Sequence, residues 1–440
     1  MGPSKYGGVI TSASEASMAV VAGLSEKRLA KIGGRLEAFA GEMFDGALVR
    51  SEQRKWSGAY LRGLMLDGKR KSIEPMAARL EDGDEQGLQQ FVNQSPWDER
   101  VVRANLARRM VCELAPEAWI IDDTGFVKKG RFSVGVGRQY SGTLGRVDNC
   151  QIGVSVNAAS DQASCPLDWR VFLPEAWDED DERRAKAHVP DGVGHREKWR
   201  LALDMIDELA EWGLRPPLIA ADAGDGEITA FRAGLDEREI AYVVQVKSGT
   251  SAYPEDVTPT RPEWSGRGRP PGARYREKPC SLKKLALAAG KRAARGVTWR
   301  EGSRGRMRSR FLALRVRPAN HDLRAAAHAE GSELVLRWLL VEWPSDADAP
   351  TDYWLSSLPA DTDLKTLVRL AKLRWRIEHD YRELKDALGL DHFEGRSYRG
   401  WHHHVTCVSV AHAFLTLERQ RPRTTAAARR STRCCASYSA

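Results

Sequence analysis

The chain has 440 residues, 42% of them apolar, and a formal charge of +8 from 68 lysines and arginines against 60 aspartates and glutamates. That length and apolar content fit a folded protein of two or three domains and exclude wholesale disorder. The charge favours an acidic partner, nucleic acid before membrane, and no run of about eighteen apolar residues is present to cross a bilayer.

Residues from about 25 to 110 read as helices. "SEKRLAKIGGRLEAFAGEMF" spaces Leu29, Ile32, Leu36 and Phe39 at three and four residues, and "QSPWDERVVRANLARRMV" offers Ser95 as a cap with Pro96 in the first turn. The segment 1–112 is expected to be an all-helical DNA-binding domain; a helical bundle with a charged exterior would read the same way. From 113 the period changes. "AWIIDDTGFVKKG" is a buried strand ending in acids, and "NCQIGVSVNAAS" and "DWRVFLPEAW" are two further strands. "HREKWRLALDMIDELAEWGL" is a helix leading into "PPLIAADAGDGEITAFRAGL", a strand followed by a helix, and "IAYVVQVK" closes 113–250 as another strand. Strands fed by helical crossovers predict a mixed α/β fold. The stretch 251–350 is very basic, with Trp264, Tyr275 and Trp299 interspersed, and reads as a β-rich insertion. Helix returns at Asp363 in a second core segment, 351–420, and the low-complexity end 421–440 is expected to be disordered.

The seven cysteines, Cys112, Cys150, Cys165, Cys280, Cys407, Cys434 and Cys435, include no CxxC pair and read as reduced cytosolic thiols. "MGPSKYGGVITSASEAS" has no apolar core behind a basic start and does not read as a signal peptide.

Three acids carry the chemical argument. "WIIDDT" sets Asp122 and Asp123 behind apolar residues, and "LIAAD" does the same with Asp222. Carboxylates at the ends of buried strands are poor for packing but suit Mg²⁺, which takes hard oxygen ligands. Two such ions about 4 Å apart can activate water and stabilise a leaving oxygen in phosphoryl displacement. Alternatively, Asp122 caps a turn through Thr124 and Asp222 caps the following helix. In "LRWRIEHDYRELKDALGL", helical geometry puts Arg374, Glu378, Tyr381 and Lys385 in a narrow arc beside a stripe of Leu370, Leu373, Ile377, Leu384 and Leu388. Glu378 is then a third metal ligand between two phosphate-binding cations, or one rung of an ion-pair ladder; spacing alone leaves both open. Lys128 and Lys129 follow the first acids and could touch DNA or line a solvated turn. "WHHHV" at His402–His404 lacks a partner at zinc-ligand spacing, so helix polarity or a DNA-phosphate contact is the better reading. "SVGVGRQYSG" lacks the lysine of a phosphate loop.

The Arg374–Glu378–Lys385 block resembles the C-terminal signature of bacterial insertion-sequence DDE transposases. "IIDDTGFVKKG" and "IAADAGDG" resemble their first and second aspartate motifs, in the same order, over roughly residues 55–415. The resemblance implies an RNase H-like mixed sheet with flanking helices, interrupted by a β-rich insertion and preceded by a helical domain. It implies a catalytic, metal-binding triad of Asp122, Asp222 and Glu378, with Asp123 as the alternative to Asp122, and DNA contacts from Arg374 and Lys385. Asp122 is favoured because the family follows its aspartate with a small residue and then threonine. The implied cofactor is a pair of Mg²⁺ ions, with Mn²⁺ able to substitute. The implied partners are terminal inverted repeats and target DNA, met by a homodimer on paired ends in the bacterial cytoplasm at the nucleoid. Two positions depart from the pattern: Ala371 stands where the signature has tyrosine, and Asp225 where an aromatic is expected. Tyr381 is a candidate to take over the missing tyrosine's stacking or phosphate contact. The alternative function is a decayed or repurposed copy that binds DNA without cutting it; a nuclease without strand transfer is a third.

Overall fold

The computed structural model describes residues 26–142, 145–261, 263–264, 266–267, 273–302 and 305–421. The terminal tail expected from 421 lies, from 422 on, outside the described residues. Helices come first: α1 (Glu26–Met43), α2 (Ser51–Met65), α3 (Ile73–Ala77), α4 (Glu85–Asn93) and α5 (Glu99–Leu114). Then come β1 (Ala118–Val127), β2 (Gly137–Ser141), β3 (Arg146–Ala159), β4 (Ser164–Val171), α6 (Asp181–Lys186) and α7 (Lys198–Glu211). A βαβ passage follows with β5 (Ile219–Ala221), α8 (Ala223–Gly226), α9 (Thr229–Glu237) and β6 (Tyr242–Val246). The basic stretch forms β7 (Ser251–Pro254), β8 (Cys280–Ser281), α10 (Leu282–Ala289), β9 (Arg295–Gly302), β10 (Gly305–Pro318), α11 (His321–Glu330) and β11 (Arg337–Glu342). Last are β12 (Asp352–Ser356), α12 (Leu364–Lys372), α13 (Trp375–Asp386) and α14 (Tyr398–Gln420). Contacts divide the chain into two compact units, one of residues up to Pro116 with Asp122–Arg215 and the chain from Arg376, the other of Glu117–Ile121 with Pro216–Trp375.

The first unit is organised around α14, every residue of which is buried from Gly400 to Phe414. Such a helix has no polar face to give to water, so it needs partners all round. It packs against β4 and against α2, α4 and α5. β3 lies between β2 and β1 and pairs antiparallel with β2 and β4, Gly137 opposite Cys150 and Gly153 opposite Val171. Gly153 is where the layers come closest: a Cβ there would stand 3.0 Å from both Phe126 and Trp401. Behind β4, Arg103 of α5 and Arg170 share the fully buried Asp168, and Arg170 also reaches Glu208 of α7. Removing one partner there would strand a buried charge, at a cost of roughly 3–5 kcal/mol. The first helix after Ser95 starts later than the sequence suggests. Asp98 caps it through Arg100 N at 2.8 Å, because Trp97 turns into the core and donates to Phe91 O at 3.0 Å.

In the second unit Trp119, Ile120 and Ile121 pair in parallel with Ile219, Ala220 and Ala221, and β5 pairs in parallel with β6. Strands buried on both faces are continuous apolar runs, as "WII" and "LIAA" are. From β6 the sheet turns antiparallel through β12, β11 and β10; β7 and β9 pair with opposite ends of β10, and β8 with β7. The strands of the basic stretch therefore extend a mixed sheet, with β12 as the joint: Leu355 stands opposite Val244. The α/β class and the mixed sheet with flanking helices agree with the expected RNase H-like architecture, with helices at the N-terminal side.

Candidate active site

β1 does not end at its acids. Asp122 and Asp123 are half-buried in mid-strand, and Thr124, Gly125 and Phe126 continue it as buried residues. Successive strand residues face opposite ways, so the two aspartates serve different faces of the sheet. On Asp123's face, its Oδ2 accepts from Lys198 Nζ at 2.7 Å, the first residue of α7. On Asp122's face, Phe126 meets Trp401 edge-on at 6.2 Å and Lys385 Nζ stands 5.4 Å from the Phe126 ring. Asp122 Oδ1 also accepts from Asp123 N at 2.8 Å. Lys198 escaped the sequence reading, although one local signal was present: a lysine opening a helix opposes the helix dipole and needs a counter-charge.

The expected single helix over the Arg–Glu–Lys block is two. The last turn of α12 tightens to a three-residue bond, Leu373 N to Leu370 O at 3.2 Å, and α13 begins afresh at Trp375. Leu373 and Arg374 fall in the break, and Leu370 belongs to the first helix rather than to the stripe beside Glu378. Ile377, Leu384 and Leu388 do seat α13, all buried. Three contacts fix its direction. Lys385 Nζ donates to Gly125 O at 2.9 Å near the end of β1, and Tyr381 OH bonds Ser155 Oγ at 2.8 Å on β3. β3 starts beside the end of β1, where Lys128 N donates to Asn149 O at 3.1 Å. Going back along α13 from Lys385 to Tyr381 is thus going back along β1 from Gly125. Glu378 lies almost one turn further back along α13 and is exposed.

In the second unit Asp222 caps α8, its Oδ1 accepting from Gly224 N at 2.8 Å and Asp225 N at 3.4 Å. The cap reading is therefore realised, and it leaves the ligand reading open, since an N-cap uses one side-chain oxygen. Gly226 presses the turn onto β6, where a Cβ would fall 2.1 Å from Gln245 O, and Arg232 ties the same turn through Gly226 O and Thr229. Since Ile121 and Ala221 are register partners, Asp122 and Asp222 are each the next residue of paired parallel strands. The donors in question are carboxylate oxygens, the hard set that suits Mg²⁺ or Mn²⁺. Among the described residues, no three His, Cys, Asp or Glu side chains stand close enough together to form a ready metal cage.

Several polar residues flagged by sequence turn inward. Tyr381 is buried, with its ring 6.0 Å from Trp169. Lys128 donates to Phe393 O at 2.5 Å, and burial lowers its ammonium to about 8; Lys129 is exposed. Burial also lowers Lys385. His402, His403 and His404 are all buried, which removes them as phosphate contacts. His403 Nδ1 and Nε2 each lie 3.0 Å from the carbonyls of Val92 and Trp97, and His404 lies between Tyr60 OH at 2.8 Å and Gly389 O at 3.0 Å. Burial drives both rings down to about 3.

Among the described residues no helix is long and apolar enough to cross a membrane. Residues 43–306 match the family of DDE superfamily endonucleases. Over 190 residues the chain is 31% identical to a probable transposase for insertion sequence element IS701 from Microchaete diplosiphon. That match spans 42% of this chain and 47% of the relative, about half its length.

Proposed function

We propose, from the premise that the chain belongs to the DDE superfamily endonucleases, that it is an insertion-sequence transposase that cuts DNA at the ends of its element and joins them to a target. Asp122, Asp222 and Glu378 are its metal-binding triad. The observation that supports this reading is the direction of α13, which runs back along β1 from Gly125 toward the segment that carries Asp122. The ion pair of Asp123 with Lys198 supports Asp122 as the strand's ligand. Bound Mg²⁺ ions supply Lewis acidity and lower the pKa of water. The chain's own part is orientation. β1 and β5 hold their acids at the ends of a paired register, and Arg374 and Lys129 offer charge to phosphates beside the cut. Hydrolysis places water oxygen on phosphorus and frees a 3′-OH; that hydroxyl then attacks a target phosphorus and displaces the target strand's own 3′-oxygen, which leaves as a 3′-OH, without a covalent protein intermediate. Terminal inverted repeats, a dimer on paired ends and action at the nucleoid belong to the same proposal. So does the division into a helical DNA-binding segment over 1–112, core segments at 113–250 and 351–420, and a basic insertion over 251–350.

The test is Glu378→Gln beside the parent on end-containing duplex with Mg²⁺ or Mn²⁺. Cleavage is expected to vanish while duplex binding persists. Equal cutting by both proteins would place the chemistry elsewhere. Binding without cutting by either would leave a copy that only binds DNA.

A further inference from the structure

The antiparallel pair β9–β10 is a ribbon with two unlike faces. Its register pairs Phe311 with Arg295, Ser309 with Val297 and Met307 with Arg300, with an irregularity between Met307 and Arg308 that adds Trp299 to the same side. Part of this side is seated: Phe311 and Val297 are buried, Trp299 meets Phe311 edge-on at 5.6 Å, and Lys372 Nζ of α12 lies 5.4 Å from the Trp299 ring, while Met307 is exposed. Arg300 stacks on Trp375 at 3.4 Å, the first residue of the helix that bears Glu378. The other side pairs Arg306 with Glu301, Arg308 with Thr298 and Arg310 with Gly296. Alternate residues of one strand stand about 7 Å apart on a single face, so three arginines form a row there. Arg310 is tied to Ala294 O at 2.6 Å and Lys291 O at 3.2 Å. Arg308 is exposed and lies flat across Gly296, where a Cβ would fall 2.7 Å from its guanidinium. Arg306 is 77% exposed, and its contact with Glu301, 3.4 Å and equally exposed, is worth little in water.

We propose that the β9–β10 ribbon is a grip for double-stranded DNA, with Arg306 and Arg308 against the phosphate backbone and the ribbon lying in or along the major groove. A two-stranded ribbon is one of the elements that groove admits. The row carries cations on the open side, while small residues, Gly296 and Thr298, stand beside them. On the opposite side, aromatic and cation contacts hold Trp299, Arg300 and Phe311. Arginine against phosphate gives affinity without sequence readout. The inference rests on DNA being the substrate, and the experiment separates the two.

The double variant Arg306→Thr/Arg308→Thr keeps strand propensity, and Arg306→Lys/Arg308→Lys keeps the charge. Binding of end-containing and unrelated duplexes is measured against salt, without divalent metal, alongside thermal melting. The threonine variant is expected to melt like the parent, to bind both duplexes roughly tenfold more weakly at low salt, and to lose about two from the slope of log affinity against log salt. The lysine variant is expected to keep the parent's slope. A threonine variant with the parent's slope and affinity overturns the ribbon alone. A parent that binds no duplex, or prefers RNA, overturns the ribbon together with the transposase reading.

Discussion

Helices α13 and α14 are separated by a short loop, and both carry a cluster of titratable residues, yet they use them in opposite ways. In α13, Glu378 and His379 stay in contact with solvent while Ile377, Leu384 and Leu388 seat the helix. In α14, His402, His403 and His404 are sealed in the core; His403 and His404 reach backbone carbonyls of other segments, and His402 the Tyr398 carbonyl of its own helix. A buried neutral imidazole with a carbonyl on one nitrogen and a hydroxyl on the other is a structural pin, as His404 is between Gly389 O and Tyr60 OH. Glu378, by contrast, keeps its carboxylate at the surface, where the proposed chemistry needs it. What separates the two is whether water or the fold takes the polar atoms. Changes around α13 should therefore cost activity and spare stability, and changes in α14 should do the reverse.

The largest effect should fall on the strand that α13 runs along. Asp122→Asn is expected to lower metal-dependent cleavage by on the order of 10³-fold, since a lost ligand forfeits several kcal/mol of transition-state stabilisation. Its melting temperature should hardly move. Asp123→Asn breaks only a partly exposed ion pair with Lys198, worth at most about 1 kcal/mol, and should leave cleavage within a few-fold of the parent. A reversed pair of results in a nicking assay would move the ligand to Asp123.

Next in size is His404→Ala. It leaves Tyr60 OH and Gly389 O without their partner in a closed core, which should lower unfolding free energy by about 2–4 kcal/mol. Cleavage per folded molecule should match the parent. Chemical denaturation paired with active-site titration checks both halves, and a fall in turnover with unchanged stability would make α14 a functional helix after all.

Much of this contrast was out of reach of the sequence, for identifiable reasons. The apolar runs before Asp122 and Asp222 disclosed buried strands and their order, because parallel strands must be apolar on both faces. The end of β1 was misplaced, because the acids look like a terminus while Thr124–Val127 carry enough strand preference to continue. The break at Leu373 and Arg374 has no proline or glycine to announce it. The histidines were unreadable because Val92, Trp97 and Gly389 offer main-chain oxygens, which leave no trace in residue identity. Ala371 is buried near the end of α12, and nothing in the structure explains its standing where the signature has tyrosine.

The smallest effect belongs to the loop that joins the two helices and should appear only in alkali. Lys128 spends its ammonium on Phe393 O in that loop, and burial lowers it from 10.5 to about 8. Lys71, whose backbone N–H bonds His392 Nδ1 in the same loop, is lowered to about 8 by the same cause. Below pH 8 both amines are charged whether the chain is folded or not, and the folded state bears the full cost of burying them. Between about 8 and 10.5 the unfolded chain binds more protons than the folded one, so stability rises with pH across that window. The contribution is complete above the unfolded value and is lost as pH falls through 8. Lys128→Met removes one of the two amines, so it should be more stable than the parent at pH 7 by on the order of 1–2 kcal/mol and gain about half as much on going to pH 10. Urea unfolding at the two pH values reads this directly. An unchanged slope would mean that Lys128 reaches solvent, which would return it to the surface where α13 does its work and restore it as a candidate contact for DNA.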